Sequence, residues 1–165
     1  MKYKHLFGPV HSRRLGYSLG VDLVPFKYCP LSCVYCEVQI TDHLTLERRE
    51  FFPLEEITAE LVDFLETKPE LDYITFSGAG EPTLYSRIGE IVRFVKGEYP
   101  AYKLALLTNG TLLNDTALRQ EILPCDLILP SLDACHQQTF RIINQPHPAL
   151  TAEGLVEALA LLRED

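Results

Sequence analysis

Three of the five cysteines in this chain, Cys29, Cys33 and Cys36, sit together in "FKYCPLSCVYCEV" (26–38). Thiolates bunched this closely suit soft metals, because sulfur ligands select zinc, copper(I) and iron–sulfur clusters. Three chemistries are open at this point. Structural zinc wants four ligands in a closed tetrahedron, and His43 is the nearest residue able to join the three cysteines. Plain thiols are the second, since free cysteine often behaves as a small hydrophobe. The third is an iron–sulfur cluster, whose normal ligands are four cysteine thiolates. Three thiolates would leave one iron without a protein ligand, and an open metal position is where chemistry takes place.

The elements that must carry this loop follow from periodicity. "YSLGVDLV" (17–24) has strand-like content and leads into the cysteines. "PLEEITAELVDFLETK" (53–68) spaces Leu54, Ile57, Leu61, Phe64 and Leu65 as a helix, with Pro53 suiting its first turn and Glu55 and Glu56 its positive end. "DYITF" (72–76) is a strand ending in "SGAGEP"; "SRIGEIVRFVK" (86–96) is a helix that Gly97 is placed to end. "YKLALL" (102–107) ends in "TNG", and Asn114 can cap a helix over Asp115 to Leu123. "DLILP" (126–130) ends in "SLDA", and helical segments follow near 137–143 and from Thr151 onward.

Strands alternating with helices imply βαβ units and an α/β fold with a parallel sheet. Right-handed crossovers put every post-strand loop on one edge, where ligands bind in open and barrelled sheets alike. The four unusual segments, scattered over about a hundred residues, are thereby gathered around one site.

Composition narrows the classes further. A hydrophobic share of 47% with 23% charged residues excludes a disordered chain. No apolar run approaches the ~20 residues that span a bilayer, and the start has no secretory h-region, so a cytoplasmic location is expected. In a reducing compartment an odd, clustered set of cysteines points to metal or catalysis rather than disulfides. The formal charge of −8 weighs against a dedicated nucleic-acid module, although "HSRRLG" and "LERRE" each carry an arginine pair. Cys125 is expected to be buried and structural, Cys135 stands beside "SLDA", and the five histidines show no H-x3–5-H pairing.

C-x3-C-x2-C with Tyr35 before the last cysteine resembles the signature of radical S-adenosylmethionine (SAM) enzymes. The similarity extends to Gly78-Ala79-Gly80-Glu81-Pro82, to "TNG" (108–110) and to "SLDA" (131–134), and so runs from about residue 17 to the end. More narrowly, "SRRLGYSLGVDLVPFKYCPLSCVYCE" and "LPSLDACHQQTFRIINQPHP" are similar to uncharacterised radical SAM proteins grouped with tRNA wyosine-base synthases. Those synthases carry a second cluster on extra N-terminal cysteines, and no cysteine precedes Cys29 here.

The resemblance implies a partial (βα) barrel, of which about four units fit in this length, so a truncated barrel is expected. It implies that Cys29, Cys33 and Cys36 hold a [4Fe-4S] cluster whose unique iron chelates SAM. Reductive cleavage of SAM then yields methionine and a 5′-deoxyadenosyl radical that abstracts hydrogen from a substrate. Gly78, Ala79, Gly80 and Glu81 would offer backbone groups to the SAM amino end. Ser131 and Asp133 would contact SAM, with Thr108 and Asn109 as further candidates and Tyr35 near the adenine. Each has a plainer alternative: a strand-to-helix turn, a helix cap, turn chemistry, or an aromatic shield for the cluster. The resemblance also implies an external electron donor such as a flavodoxin or ferredoxin, and leaves tRNA as a substrate class that the charge does not favour.

Overall fold

Alternation along each strand decides which side chains meet the helices. The computed structural model describes residues 2–165. Its strands in chain order are β1 (Leu6–Ser12), β2 (Gly16–Val21), the short β3 (Tyr28–Cys29) and β4 (His43–Leu44), β5 (Tyr73–Phe76), β6 (Lys103–Thr108) and β7 (Leu127–Pro130). The helices are α1 (Leu54–Leu65), α2 (Ile88–Glu98), α3 (Thr116–Ile122), α4 (Gln137–Ile143) and α5 (Ala152–Glu164).

The main sheet has the order β1-β2-β5-β6-β7, with β3 and β4 pairing separately. Strands β2, β5, β6 and β7 run parallel, as the βαβ pattern predicts. Leu19, Val21, Ile74, Phe76, Leu104 and Leu106 are buried in one core with Ile57 and Leu61 of α1, Ile91 and Val95 of α2, and Leu118 and Ile122 of α3. Alternate positions carry small or polar residues, and Ser18 and Thr75 there share a 2.6 Å hydrogen bond between hydroxyls. A second, smaller core joins Leu31, Phe140, Ala152 and Leu155, with Cys29 and Cys33 packed against it.

One edge strand is added and three local expectations are corrected. β1, which the sequence reading did not anticipate, pairs antiparallel with β2, its register shifting between Phe7 and Val10. Pro53 stands just before α1, in extended backbone, rather than inside the first turn. Asp115, not Asn114, caps α3: its carboxylate accepts the N–H of Ala117 at 2.8 Å, while the Asn114 amide donates to the Gly154 carbonyl. Both residues are good caps, and the one whose oxygen reaches two N–H groups wins.

Gly97 lies inside α2, which closes at Tyr99, whose N–H donates to the Val95 carbonyl at 2.9 Å. A Cβ built on Gly97 meets nothing within 4 Å. Gly97→Ala is therefore expected to stabilise the fold by about 0.5–1 kcal/mol, because alanine loses less backbone entropy in a helix. The reading is a higher urea midpoint at unchanged slope; a lower midpoint would contradict the helical placement.

Candidate metal and cofactor site

Beyond β2 the chain enters β3, and Cys29 is its last residue. The loop then makes two successive turns, Cys36 N–H to Cys33 O and Gln39 N–H to Cys36 O, both 3.1 Å, before returning as β4. Its far side is held by the end of α4. The N–H groups of Ser32 and Val34 donate to the carbonyls of Asn144 and Ile143, each at 2.9 Å. Terminal helix carbonyls lack intrahelical partners, so the cysteine loop satisfies them and is fixed in return.

All three cysteines are half-buried, and each sulfur meets one N–H donor from outside the C-x3-C-x2-C spacing. Asn109 Nδ2 stands 3.5 Å from Cys29 Sγ, Asn144 Nδ2 3.3 Å from Cys33 Sγ, and Lys27 Nζ 2.8 Å from Cys36 Sγ. Such donors fit thiolates or cluster-bound sulfurs, whose charge they stabilise. Burial first, and the charge of Glu81 next, push the Cys29 thiol up to about 12. A metal must displace that proton, so binding couples to proton release.

Among the described residues no three His, Cys, Asp or Glu side chains converge as ligands of a single ion. His43 stacks instead on Tyr28, ring centroids 4.1 Å apart. A tetrahedral zinc set of the three cysteines and His43 is thus not assembled. A cluster makes a different demand, since its thiolates bind separate irons.

The "SGAGEP" loop faces this one. Gly78 has φ +134°, a region L side chains rarely adopt, and a Cβ there would meet the Asp22 carboxyl at 2.6 Å. Asp22 Oδ2 accepts the Ala79 N–H at 3.0 Å, and its Oδ1 is buried with no hydrogen-bond partner among the described residues. A Cβ on Gly80 would stand 2.1 Å from the Tyr28 carbonyl oxygen. Gly80→Ala is expected to cost about 1–3 kcal/mol, the usual penalty of overpacking, since backbone cannot yield as a side chain does. Urea unfolding beside Gly97→Ala checks it, and equal stability of the two variants would contradict the close approach.

Glu81 turns inward. Its N–H donates to the Tyr28 carbonyl at 3.0 Å, and the residue is 3% exposed. One carboxylate oxygen accepts from the Thr83 N–H, the Thr83 hydroxyl and the Thr108 hydroxyl at 3.2, 2.7 and 2.6 Å. The other accepts the Asn109 N–H at 2.7 Å. Burial pushes this carboxyl up, against the downward pull of those donors. The Glu81 N–H and carboxylate thus tie three loops together. Thr108 is likewise buried, its hydroxyl bonded to Glu81. Asn109 holds "TNG" through Oδ1, which accepts the N–H and hydroxyl of Thr111, and aims Nδ2 at Cys29.

Ser131 is exposed just past β7, its N–H donating to the Thr108 carbonyl at 2.9 Å. Asp133 Oδ2 accepts from the Tyr35 hydroxyl and, at 2.7 Å, from Asn144 Nδ2. Burial and this bond to Asp133 push the Tyr35 phenol up. Tyr35 and Asp133, predicted as separate contacts, therefore meet beside Cys33. Ala79 sits at a cavity of about 560 Å³ lined also by Phe7, Asp22, Val38, Ser77 and Gly78. Another, about 630 Å³, opens over Cys33 and Cys36 between Phe26, Val34 and Ile40. Both lie in the range of small-molecule sites. Sequence reasoning missed Asp22, Lys27 and Asn144. Lys27 could have been noticed as the one charge in "LVPFKYCPL"; Asn144 carries no local signal.

A parallel α/β sheet with three cysteines and a glycine loop beyond its carboxyl edge defines a class, and the comparison with known families agrees. The radical SAM superfamily matches residues 23–165, and the chain belongs to that superfamily. It is 36% identical over 162 residues to a UPF0026 protein of Methanocaldococcus jannaschii, covering 96% of this chain and 50% of that protein. A protein named GTPase Obg in Brachyspira hyodysenteriae is 37% identical over 163 residues, 99% of this chain and 24% of its own length. A probable GTP 3′,8-cyclase of Saccharolobus islandicus is 30% identical over 116 residues, 70% of this chain and 35% of its own. The chain thus spans half or less of these three relatives.

Proposed function

We propose that Cys29, Cys33 and Cys36 hold a [4Fe-4S] cluster and that the protein acts in radical SAM chemistry on a hydrogen-bearing substrate. The observation that carries this is the matched set of three half-buried sulfurs and three N–H donors facing a glycine loop at the carboxyl edge of the sheet. When bound, the cluster supplies the electron that cleaves SAM to methionine and a 5′-deoxyadenosyl radical.

The chain's own residues prepare that site. Asn109, Asn144 and Lys27 orient the sulfurs, while α4 fixes the loop from behind. Gly78 and Gly80 let backbone come close where a Cβ would intrude, leaving the Gly78–Ala79 edge for the SAM amino end. Asp133, held by Tyr35 and Asn144, is positioned to accept from ribose hydroxyls. The electron arrives from an external one-electron donor of the flavodoxin or ferredoxin class, and the site is cytoplasmic. Among the described residues no helix is long and apolar enough to cross a membrane.

Anaerobic reconstitution with iron and sulfide, followed by optical and EPR spectra, tests the cluster; SAM and a reductant then test cleavage through 5′-deoxyadenosine release. A colourless protein that retains zinc would overturn the whole reading. An intact cluster with no 5′-deoxyadenosine would overturn the catalytic part.

A further inference from the structure

One cation beside the cysteines lacks the carboxylate partner that three other lysines have. Lys2, Lys4 and Lys96 reach Asp63, Glu56 and Asp126 at 2.7–3.0 Å, all on the surface or near it. Lys27 is 2% exposed and, among the described residues, forms no ion pair with a carboxylate. Its ammonium donates to Cys36 Sγ at 2.8 Å and to the Gln39 carbonyl. A buried ammonium is strongly disfavoured unless a negative group answers it. The Gln39 carbonyl offers a dipole without a charge. The other two sulfurs meet neutral amides, so the positive charge is confined to the Cys36 corner.

We infer that Lys27 is the internal counter-cation of the metal cluster and raises its reduction potential. The inference rests on the iron–sulfur reading of the three cysteines. Thiolate ligands make the bound cluster a negative group, and reduction adds one more electron without requiring a proton. A fixed positive charge against a ligand sulfur favours the more negative, reduced state over the oxidised one. Burial keeps solvent and salt from screening the effect. Charge, hydrogen bonds to sulfur and solvent exposure are the levers that set such potentials, and Lys27 acts through all three. The electron comes from a low-potential one-electron donor, which is oxidised as the cluster is reduced. Lys27 is a positioning and tuning residue here; it does not react.

The test is an EPR-monitored redox titration of reconstituted protein, wild type against Lys27→Met, Lys27→Gln and Lys27→Arg. Glutamine keeps a donor without charge, methionine keeps neither, and arginine keeps both. Both neutral variants are expected to lose about tenfold in the reduction equilibrium constant, about 59 mV more negative for a one-electron couple. Lys27→Arg is expected to stay within about threefold of wild type. A merely structural lysine would leave the potential unmoved, and neutral variants that titrate with wild type overturn the inference. Should neither neutral variant take up a cluster while folded Lys27→Arg does, the charge requirement is upheld. Loss of the cluster in Lys27→Arg as well would overturn it. A wild-type protein that assembles no cluster removes the proposed function and this inference together; a wild-type cluster with unchanged variant potentials removes this inference alone.

Discussion

Cys33→Ala protein is expected to emerge from anaerobic reconstitution without a four-iron cluster and to release no 5′-deoxyadenosine from SAM. The three sulfurs leave no spare thiolate to replace a lost one. Cys125 packs against the main core, where burial pushes its thiol up to about 12, and Cys135 is exposed beyond β7. Losing an outer hydrogen-bond partner of a metal ligand costs about 10–100-fold in metal affinity, and losing the ligand itself should exceed that. Cys33 lies at the margin of the smaller core, so alanine leaves a small void and a folded chain. Iron per chain and EPR amplitude are the measurements, with Cys135→Ala as a control expected to match wild type. Wild-type iron content in Cys33→Ala would sink the ligand assignment.

The second large effect is on stability. Glu81→Ala strands four donors at once, three buried and one half-buried: the Thr83 N–H and hydroxyl, the Thr108 hydroxyl and, half-buried, the Asn109 N–H. Each buried polar group left unpaired costs about 1–3 kcal/mol, and rotation of the hydroxyls or entry of water recovers part of it. A loss of about 3–5 kcal/mol is therefore expected, a large share of the ~5–15 kcal/mol that holds a typical domain folded. Glu81→Gln should fall between, because one carboxylate oxygen becomes an NH2 group facing donors. Urea unfolding measures both, and an alanine variant as stable as wild type would show that the three loops are held by something else.

The alternation of buried strands with amphipathic helices was readable because burial imposes it on every residue of an element. β1 was not, since "LFGPVHS" interrupts itself with Gly8 and Pro9 and leaves Val10 47% exposed. The cysteines were readable because their spacing is local. Their donors were hidden by distance: Asn144 reaches Cys33 across 111 residues, and Asn109 reaches Cys29 across 80. Glu81 was named for its backbone in a glycine loop, and only the fold brings Thr108 and Asn109 to draw its carboxylate inward.

β1 also decides how the sheet can curl. By pairing antiparallel along the outer hydrogen-bonding edge of β2, from Leu6↔Val21 to Ser12↔Gly16, it occupies the edge that a closed parallel ring would need. A parallel strand wrapping round from the far side would meet β1 instead of β2, and would have to pair antiparallel there. A further strand that keeps the parallel direction therefore finds its place alongside β7, which gives the sheet one direction of growth.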